Sequence, residues 1–377
     1  MIDTIIPVLD RNKFRIINPD VFEPSARWID DVTSFGSRGY AKSKQNPTPS
    51  ELNAGNYQPR LTLSRRFNRL GQIDTTLKIE VSLPKLLFNN NFDELTDSNY
   101  DEVLNIFIGK LKDMSVIVSK IDLENALVST VHFSKNIPLT DGTTPYQYIK
   151  KISEGNYKLT SDTDKVNYRN HGQLFKLHTN SWEHVIYDKI REFEKAKVSD
   201  KRCEENETAI QLGLFEDKTM TKPFEVLRLE ARYNRRAKIR QVLKGVGFEF
   251  EPTLKNLFNG QTSQKVLLQF LKELELARPV LLDYKPSDEK ALLPDIVINN
   301  PTFPPRKVIM LYGLKLAMDR YDMRELRKIF AKYNHRSWYR LVNECQNVEL
   351  PIKQDTFKAI REKLYEFKPL KLADFTI

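Results

Sequence analysis

Three short segments of the sequence repeat one pattern, in which an acidic residue stands two positions after a basic one. Residues 78–80, 120–122 and 228–230 read KIE, KID and RLE. Residues two apart on a β-strand point to the same face, so each acid would share a face with its base. If the three strands are neighbours, the carboxylates of Glu80, Asp122 and Glu230 meet on one sheet surface. Such carboxylates repel one another, and Mg²⁺ or Mn²⁺, which prefer oxygen ligands, would compensate for this repulsion.

The basic residues of the same pattern, Lys78, Lys120 and Arg228, suggest what this surface would bind. Cationic side chains interleaved with metal-bound carboxylates suit a phosphate chain that lies across the sheet. A purely structural interpretation stays open, because strands often present alternating charges to solvent. Each exposed ion pair of this kind contributes only about 0–1 kcal/mol.

A second candidate for chemistry is the segment EHVIYDK at residues 183–189, in which Tyr187 and Lys189 share a face if the segment is a strand. A tyrosine phenol is a poor nucleophile at its ordinary pKa of about 10. A nearby ammonium or metal ion favours the phenolate, which can attack a phosphodiester and hold it as a phosphotyrosine. The alternative is that Tyr187, one of 15 tyrosines, only packs against its neighbours.

The composition limits the classes of protein to which the chain can belong. Its 377 residues are 40% hydrophobic, and 60 Lys and Arg against 50 Asp and Glu leave a net charge of +10, which favours a polyanionic partner such as DNA. The two cysteines, Cys203 and Cys345, are too few for a zinc ribbon or a disulfide scaffold. Because the sequence has no signal-peptide pattern and no apolar run of membrane-spanning length, we expect a cytoplasmic protein without a membrane partner.

Hydrophobic periodicity indicates the elements that must position these residues. Apolar and polar residues alternate over 59–67, 76–83, 118–133 and 224–233, which predicts strands with one buried face. Helical spacing is found in residues 98–114, 262–278, 307–334 and 357–367, and polar sequence near 31–58 and 198–217 predicts loops. We therefore predict an α+β protein with a catalytic domain over residues 1–244 and a helical DNA-binding domain over residues 245–377.

Two clusters of basic residues are candidates for DNA contacts. The first cluster, within residues 228–240, contains Arg228, Arg232, Arg235 and Arg236. The second, over residues 306–340, interleaves ten Lys and Arg with aromatic residues and includes Arg336 and Arg340. Basic residues neutralise phosphates while aromatic rings stack on unpaired bases, and the turn-like residues 332–335 suit a helix-turn-helix-like unit. A solvated helix pair with its aromatic residues in the core is the alternative.

Several short segments resemble the replication initiators of rolling-circle plasmids and filamentous phages. HVIYDKIREFEK at residues 184–195 follows a KID segment and precedes RLEARYNRR. It is similar to the "IYxK"-like or "YLK"-like segment that carries the nicking tyrosine in those families, where an "RxE" strand follows. LKIEVSLPKLLFNNNFDEL and NHRSWYRLVNECQNVELP are similar to an early and a late segment of the filamentous-phage gene II replication protein. These similarities occur in a shared order between Pro59 and Pro351.

The resemblance implies a catalytic domain of the relaxase type, with an antiparallel sheet of the palm or RRM-like kind. Tyr187 would be the nucleophile, Lys189 its electrostatic partner, and the three acids of the repeated pattern the metal ligands. The sequence departs from the family in one respect. Many of these initiators bind metal through a His-hydrophobe-His pair, and none of the five histidines here stands two positions from another, although His178 and His184 flank the tyrosine segment.

The resulting hypothesis is a metal-dependent DNA nicking and joining enzyme that initiates rolling-circle replication of a phage or plasmid in a bacterial host cell. Tyr187 would cleave one strand at the origin and leave a free 3′-OH and a 5′-phosphotyrosine, and a host helicase and polymerase would follow. Two other hypotheses stay open. One is a basic DNA-binding protein without catalysis, and the other is a metal-dependent nucleotidyl transferase similar to a primase.

Overall fold

The fold is that of a computed structural model, which describes residues 1–29, 40–48, 57–67, 70–140, 142–157, 167–169, 174–196, 225–286, 290–330, 332–333, 335–345, 348–351 and 355–375. The loop predicted over residues 198–217 lies outside these ranges. Part of the loop predicted over residues 31–58 is also outside them, but Tyr40–Gln45 forms a strand, so the prediction of a loop is wrong for those six residues.

Nine strands form one antiparallel sheet. The strands in the described ranges are β1 (Ile2–Asp10), β2 (Phe14–Ile16), β3 (Tyr40–Gln45), β4 (Arg60–Phe67), β5 (Ile73–Ser82), β6 (Val116–Val118), β7 (Leu127–Leu139), β8 (Asn167–Arg169), β9 (Leu174–His178), β10 (Trp182–Asp188) and β11 (Glu225–Tyr233). The sheet order is β3-β4-β5-β1-β7-β11-β10-β9-β8, while β2 pairs with β6 separately. The predicted α+β class and the strands predicted over 59–67, 76–83 and 224–233 are confirmed as β4, β5 and β11.

The helices lie mostly in the second half of the chain. They are α1 (Leu83–Phe88), α2 (Tyr100–Asp113), α3 (Lys120–Glu124), α4 (Pro145–Ser153), α5 (Lys189–Ala196), α6 (Arg236–Gly245), α7 (Leu254–Leu257), α8 (Gly260–Ala277), α9 (Val280–Asp283), α10 (Leu292–Asn299), α11 (Pro305–Met318), α12 (Met323–Phe330), α13 (His335–Glu344) and α14 (Lys358–Glu366). The helices predicted over residues 98–114 and 262–278 are confirmed as α2 and α8.

The sheet has an apolar face and a polar face. On β5, Leu77, Ile79 and Val81 are fully buried, whereas Lys78 and Glu80 point to the other face and are exposed. The register carries this alternation across the sheet, because directly paired residues share a face. Buried residues of α4, α6, α8 and α14 belong to the same apolar cluster as the apolar side of the strands. The opposite face carries the exposed polar side chains together with some apolar residues, among them Val8 and the buried Val226, which packs in a small cluster with Phe92, Ile190 and Leu370.

The two larger apolar clusters of the described residues meet in sequence near residue 280, while the domain boundary at residues 244–245 stays a prediction. The first core joins the sheet to the helices as far as Ala277 and to the later α14. The second core extends from Leu281 to Val348 and is built from the helices between them. The change of sequence character after Gly245 is real, but the helices that follow it bury their apolar faces against the sheet.

The strand predicted over residues 118–133 is wrong in its first half. β6 ends at Val118, and the Ser119 side chain accepts a hydrogen bond from the Asp122 backbone N–H, which caps the short helix α3. The next strand, β7, begins only at Leu127. Lys120 and Asp122 therefore lie on a helix and not on the sheet.

Candidate functional site

The polar face carries its densest set of hydrogen-bonding side chains where β7, β11 and β10 lie side by side. The register arranges them in three rows across the strands: Asn136, Arg228 and Tyr187; Ser134 and Glu230; His132, Arg232 and Glu183. We call the set Tyr187, Lys189, Arg228, Glu230 and Arg232 the tyrosine cluster. The structure therefore brings together the predicted nucleophile, its predicted electrostatic partner and one of the three predicted metal ligands.

Glu230 is at the centre of the tyrosine cluster. Its Oε1 accepts hydrogen bonds from the Tyr187 hydroxyl at 2.7 Å and from Arg228 Nε at 2.7 Å. Its Oε2 accepts from Arg232 Nε at 2.8 Å and also from Arg232 Nη2. Burial favours the neutral acid, but the guanidinium groups of Arg232 and Arg228 outweigh burial and hold the pKa of Glu230 well below its ordinary value. Glu230 is thus a carboxylate whose two oxygens are both occupied by donors.

Tyr187 is 6% exposed and donates its hydroxyl hydrogen to Glu230. Burial, together with the nearby carboxylates of Glu192 and Glu230, raises the pKa of Tyr187 well above its ordinary value. The ammonium of Lys189 lies 5.7 Å from the centre of the phenol ring. In this arrangement the phenol is neutral, so the site holds the predicted nucleophile in its unreactive form.

Lys189, the first residue of α5, is fully buried beside Tyr187. Its Nζ donates to Asn91 Oδ1 at 3.0 Å and to Glu192 Oε2 at 2.8 Å. Burial lowers the pKa of Lys189, although Glu192 opposes this effect. The predicted position of a cation next to the phenol is therefore observed.

Arg228 is 1% exposed and is held on several sides. Its Nη1 donates to the Asn91 carbonyl at 2.9 Å and to Asn136 Oδ1 at 3.1 Å, and its Nη2 donates to Ser134 Oγ at 3.0 Å. Asp3 Oδ2 lies 3.1 Å from the same Nη2 and adds a second acid beside Glu230. We predicted that Arg228 contacts DNA, but in this arrangement its partners occupy the guanidinium, and a phosphate could reach it only after they move.

The loop that contains Asn91 contacts Lys189 and Arg228 of the tyrosine cluster, and it is hydrogen-bonded to the segment near residue 370. The backbone N–H of Leu370 donates to Glu94 Oε2 at 2.9 Å. The backbone N–H of Leu372 donates to Asp93 Oδ1 at 2.5 Å. These two bonds fix the loop from outside, so the position of Asn91 over Lys189 depends on residues near 370.

The structure does not bring the three predicted metal ligands together. Glu80 on β5 and Glu230 on β11 have β1 and β7 between them, which corresponds to about 14 Å. Asp122 lies on α3, where its Oδ2 accepts a hydrogen bond from Ser119 Oγ at 2.5 Å. Within the described ranges, no group of three or more His, Cys, Asp or Glu side chains could hold a metal ion. The expected convergence on one sheet surface is wrong, because Asp122 is not on a strand and the other two strands are not neighbours.

The remaining predicted cations of the first domain lie in different environments. The Arg232 side chain is 29% exposed above Glu230. Lys78 is exposed on the same polar face, on β5. Lys120 is on α3 and forms an ion pair with Asp101 at 2.9 Å. Arg235 and Arg236, at the start of α6, are exposed and half-buried, respectively. Of these five, the sheet brings only Arg232 to Tyr187.

Arg336 and Arg340 lie together on α13 in the second core region. With Lys307 of α11 they line a cleft of about 510 Å³, whose other lining residues are Tyr339, Asn343 and Glu344. The helix before α13 ends at Phe330, so a short connection joins the two helices, as the helix-turn-helix-like prediction requires. This cleft is a basic surface separate from the tyrosine cluster.

The histidines that flank the tyrosine segment point to opposite faces. His184 lies on the apolar face, where its ring centre is 4.1 Å from that of Phe270, and burial lowers its pKa to about 3. His178 pairs with Glu183 and therefore shares the polar face with Tyr187. Tyr233 also points to the apolar face and packs against Phe133.

Several polar partners of the tyrosine cluster were not predicted from the sequence. Ser134 and Asn136 lie on the face of β7 opposite Phe133 and Ile137, but Lys135 between them interrupts the alternation that could have indicated this polar face. His132 lies two positions before Ser134 on the same face of β7, and burial lowers its pKa to about 4. Asp3 and Asn91 belong to other parts of the chain, and their sequence surroundings carry no signal that links them to Tyr187.

In the part of the chain that the structure describes, no helix combines the length and the apolar character needed to cross a membrane. A scan against protein-family models and searches of curated proteins and of solved structures found no match to this chain.

Proposed function

We propose that the protein is a DNA nicking and joining enzyme that initiates rolling-circle replication of a phage or plasmid, with Tyr187 as its nucleophile. The observation that supports this most is the hydrogen bond from the Tyr187 hydroxyl to Glu230, 2.7 Å long, among the cations Lys189, Arg228 and Arg232. A phenol beside a proton acceptor, surrounded by cations that can stabilise charge on a phosphate, has the parts that a transesterification requires. A host helicase and polymerase would then use the nicked strand.

In the proposed reaction, the Tyr187 hydroxyl oxygen attacks the phosphorus atom, and the phenol proton passes to Oε1 of Glu230. The bond from phosphorus to the 3′ oxygen breaks, and that oxygen takes a proton from water and leaves as a free 3′-OH. The 5′-phosphate stays on Tyr187 as a phosphotyrosine ester. Because this ester keeps the energy of the phosphodiester, a 3′-OH can later attack it and rejoin the strand without ATP.

Arg232 is the residue through which substrate binding can activate the phenol. Its side chain is 29% exposed, whereas Arg228 and Lys189 are buried. A DNA phosphate that binds Arg232 would draw the guanidinium away from Glu230. The pKa of Glu230 would then rise, since one of the two groups that hold it down has moved, and the carboxylate would become a better acceptor for the phenol proton.

A requirement for Mg²⁺ or Mn²⁺ remains a prediction. The oxygens of Glu230 are occupied by Tyr187 and two arginines, and Glu80 and Asp122 lie elsewhere, so these residues do not fit a shared metal site as they stand. We therefore assign the stabilisation of developing charge to the cations of the tyrosine cluster and derive no step through a metal ion.

The decisive experiment is a nicking assay on supercoiled DNA of the replicon that carries the gene, with Mg²⁺, with Mn²⁺ and with EDTA. We expect a covalent protein–DNA adduct that survives a denaturing gel and is lost in Tyr187→Phe. Tyr321→Phe is the matched control, because Tyr321 is an exposed tyrosine far from the sheet in sequence, and it should form the adduct normally. If the wild-type protein forms no adduct in any of the three conditions, the proposal is wrong.

A non-catalytic DNA-binding protein is the second candidate. Both carboxylate oxygens of Glu230 already accept hydrogen bonds, and a buried network in which every group is paired needs no reaction to explain it. Binding of DNA without cleavage in all three conditions would support this candidate. The nucleotidyl transferase hypothesis depended on carboxylates meeting at a metal, and the separation of Glu80 from Glu230 leaves it without that support. Nucleotide incorporation by the Tyr187→Phe variant would support the nucleotidyl transferase hypothesis.

A further inference from the structure

The outer strands of the sheet carry a second set of polar side chains on the face of Tyr187. The register arranges them in three rows across β3, β4 and β5: Lys44, Thr62 and Lys78; Lys42, Ser64 and Thr76; Tyr40, Arg66 and Asp74. The face is continuous with that of the tyrosine cluster. Ile6 of β1 lies on the same face as Lys78 and pairs with Thr130 of β7. Thr130 lies on the same face of β7 as His132, and His132 pairs with Arg232 of β11.

The cations of these rows are exposed and unmatched. Lys42, Lys44, Arg66 and Lys78 are all exposed, and none of their charged groups forms an ion pair with an acid among the described residues. The acids on the same face are Asp10, Asp74 and Glu80, together with Glu23, which pairs with Lys44 at the edge of β3. Arg60 shares the face but has an interaction of its own, so the cations without an ion pair among the described residues are Lys42, Lys44, Arg66 and Lys78. Unmatched, exposed cations beside hydroxyl groups are what a phosphate backbone binds.

We propose that this surface, the outer track formed by Tyr40, Lys42, Lys44, Arg66 and Lys78, binds the backbone of single-stranded DNA and leads it toward Tyr187. The inference rests on the proposed function and specifies its substrate as an unpaired strand rather than a duplex. The outer track is sequence-tolerant, because its side chains are suited to phosphates and to the faces of bases and not to base edges.

An exposed aromatic ring on the track favours an unpaired strand. Tyr40, at the start of β3, is 57% exposed and offers a ring on which an unpaired base can stack. Of the hydroxyl groups between the cations, Ser64 and Thr76 hydrogen-bond to each other at 3.1 Å, and Thr62 is the remaining donor for a phosphate oxygen.

The position of Tyr187 supports the same substrate. β5 and β10 are four strand spacings apart, about 19 Å, and Thr130, His132 and Arg232 lie along this path on the same face. Because Tyr187 is only 6% exposed, a phosphate must approach it closely over the sheet surface. A flexible single strand can do so, whereas a paired and stacked duplex keeps its backbones apart.

The test measures binding of a fluorescently labelled 20-nucleotide oligothymidine, and of a 20-base-pair duplex, by anisotropy over a range of KCl concentrations. The track variant is Lys42→Ala/Lys44→Ala/Lys78→Ala. The matched control is Lys112→Ala/Lys150→Ala/Lys244→Ala, which removes the same charge from exposed lysines on α2, α4 and α6. We expect the wild type to bind the single strand more tightly than the duplex, and the track variant to bind it at least tenfold more weakly at low salt.

The salt dependence identifies direct phosphate contacts. Each phosphate neutralised on a single strand contributes about 0.7 to the slope of log K against log salt, so loss of three contacts should reduce the slope by about 2. The control variant should keep the wild-type slope. Tyr40→Ala should weaken binding by about fivefold or more, since stacking on one aromatic ring contributes on this scale. Tyr146→Ala, which removes an exposed tyrosine from α4, should leave binding unchanged.

Three results would each overturn the inference. The first is equal affinity and slope in the track variant and the wild type, the second is equal weakening by the track and control variants, and the third is tighter binding of the duplex than of the single strand. The nicking proposal is tested separately, because Tyr187→Phe should bind the oligothymidine normally. Binding through the track without a covalent adduct in any condition would remove the nicking proposal alone, and adduct formation with normal binding by the track variant would remove the inference alone.

Discussion

The tyrosine cluster and the outer track share one face of one sheet, but the charged groups of the cluster are buried and paired, whereas those of the track are exposed. In the cluster, Glu230 and Arg228 are buried, and each is held by several partners at 2.7–3.1 Å. In the track, Lys42 and Lys78 are exposed and lack an acidic partner among the described residues. A charge can be buried only if it is paired, whereas an exposed charge remains available to a ligand.

The contrast separates two tasks along the sheet. In the proposed function, the outer track would bind a phosphate chain without any rearrangement, since its cations form no ion pair among the described residues. The tyrosine cluster must first lose a contact, because both oxygens of Glu230 are occupied and Tyr187 is neutral. Binding before activation is the order of events that this arrangement imposes on the proposed reaction.

The largest difference should appear when one acid is neutralised in each region. Glu230→Gln leaves Arg228 and Arg232 without their shared counter-charge, and removing one partner of a buried ion pair costs about 3–5 kcal/mol. Glu80→Gln, on the exposed face of β5, should change the free energy of unfolding by less than about 0.5 kcal/mol. Chemical denaturation of the two variants measures the difference. Equal stability would mean that the cluster is not the tightly paired unit described above.

The next effect concerns the reverse side of β10, where His184 is buried against Phe270. Its pKa is lowered from about 6.5 in the unfolded chain to about 3, so the unfolded state binds a proton that the folded state does not. Its contribution to stability is complete above about pH 6.5 and is lost progressively as the pH falls toward 3. Between pH 7 and pH 4, the loss should be about 2–3 kcal/mol.

The pH effect is isolated by comparing variants. His184→Phe should show a smaller loss of unfolding free energy between pH 7 and pH 4 than the wild type does. His178→Gln, on the polar face of β9 and three strands from β7, should follow the wild type. Identical pH profiles for His184→Phe and the wild type would show that His184 is not the group responsible.

A smaller effect is expected from the phenol itself. Tyr187→Phe removes one donor from Oε1 of Glu230 and leaves that buried carboxylate less satisfied, at a cost of about 1–3 kcal/mol. Tyr40→Phe, on the outer track, should change stability by less than about 0.5 kcal/mol, because Tyr40 is exposed. Urea denaturation distinguishes the two, and a larger loss in Tyr40→Phe than in Tyr187→Phe would reverse the comparison.

The smallest effect should come from the track lysines. The variant Lys42→Ala/Lys44→Ala/Lys78→Ala removes three exposed side chains that form no ion pair among the described residues, and it should unfold within about 1 kcal/mol of the wild type. The measurement is a denaturation curve followed by circular dichroism. A loss of several kcal/mol would show that these lysines support the fold and do not serve binding alone.

Period-two alternation predicted β11 and placed Arg228 and Glu230 on one of its faces. The sequence of β10 does not alternate cleanly, because Val185 and Ile186 are adjacent, and it is the antiparallel pairing with β11 that puts Tyr187 opposite Arg228. The alternation in KIDL could not distinguish a strand from one helical turn, and the cap at Ser119 decided in favour of the helix. Local pattern therefore predicted the faces of long strands but not the state of a five-residue segment.

Strand order could not be predicted from alternation at all. β1, from the start of the chain, inserts between β5 and β7, and this insertion separates Glu80 from Glu230. The pairing depends on long-range packing, on which the residues around either acid carry no information. For the same reason, the partnership of Arg228 with Asp3 and Asn91 was beyond prediction from sequence.

The bond between Leu370 and Glu94 joins residues 276 positions apart in the chain. During synthesis, the loop that contacts Lys189 and Arg228 can gain this bond only after residue 370 has been made. A nascent chain can complete the strands around Tyr187 before then. The surroundings of Tyr187 are therefore completed later than the strands that carry it, and a chain that stops before residue 370 would lack this support.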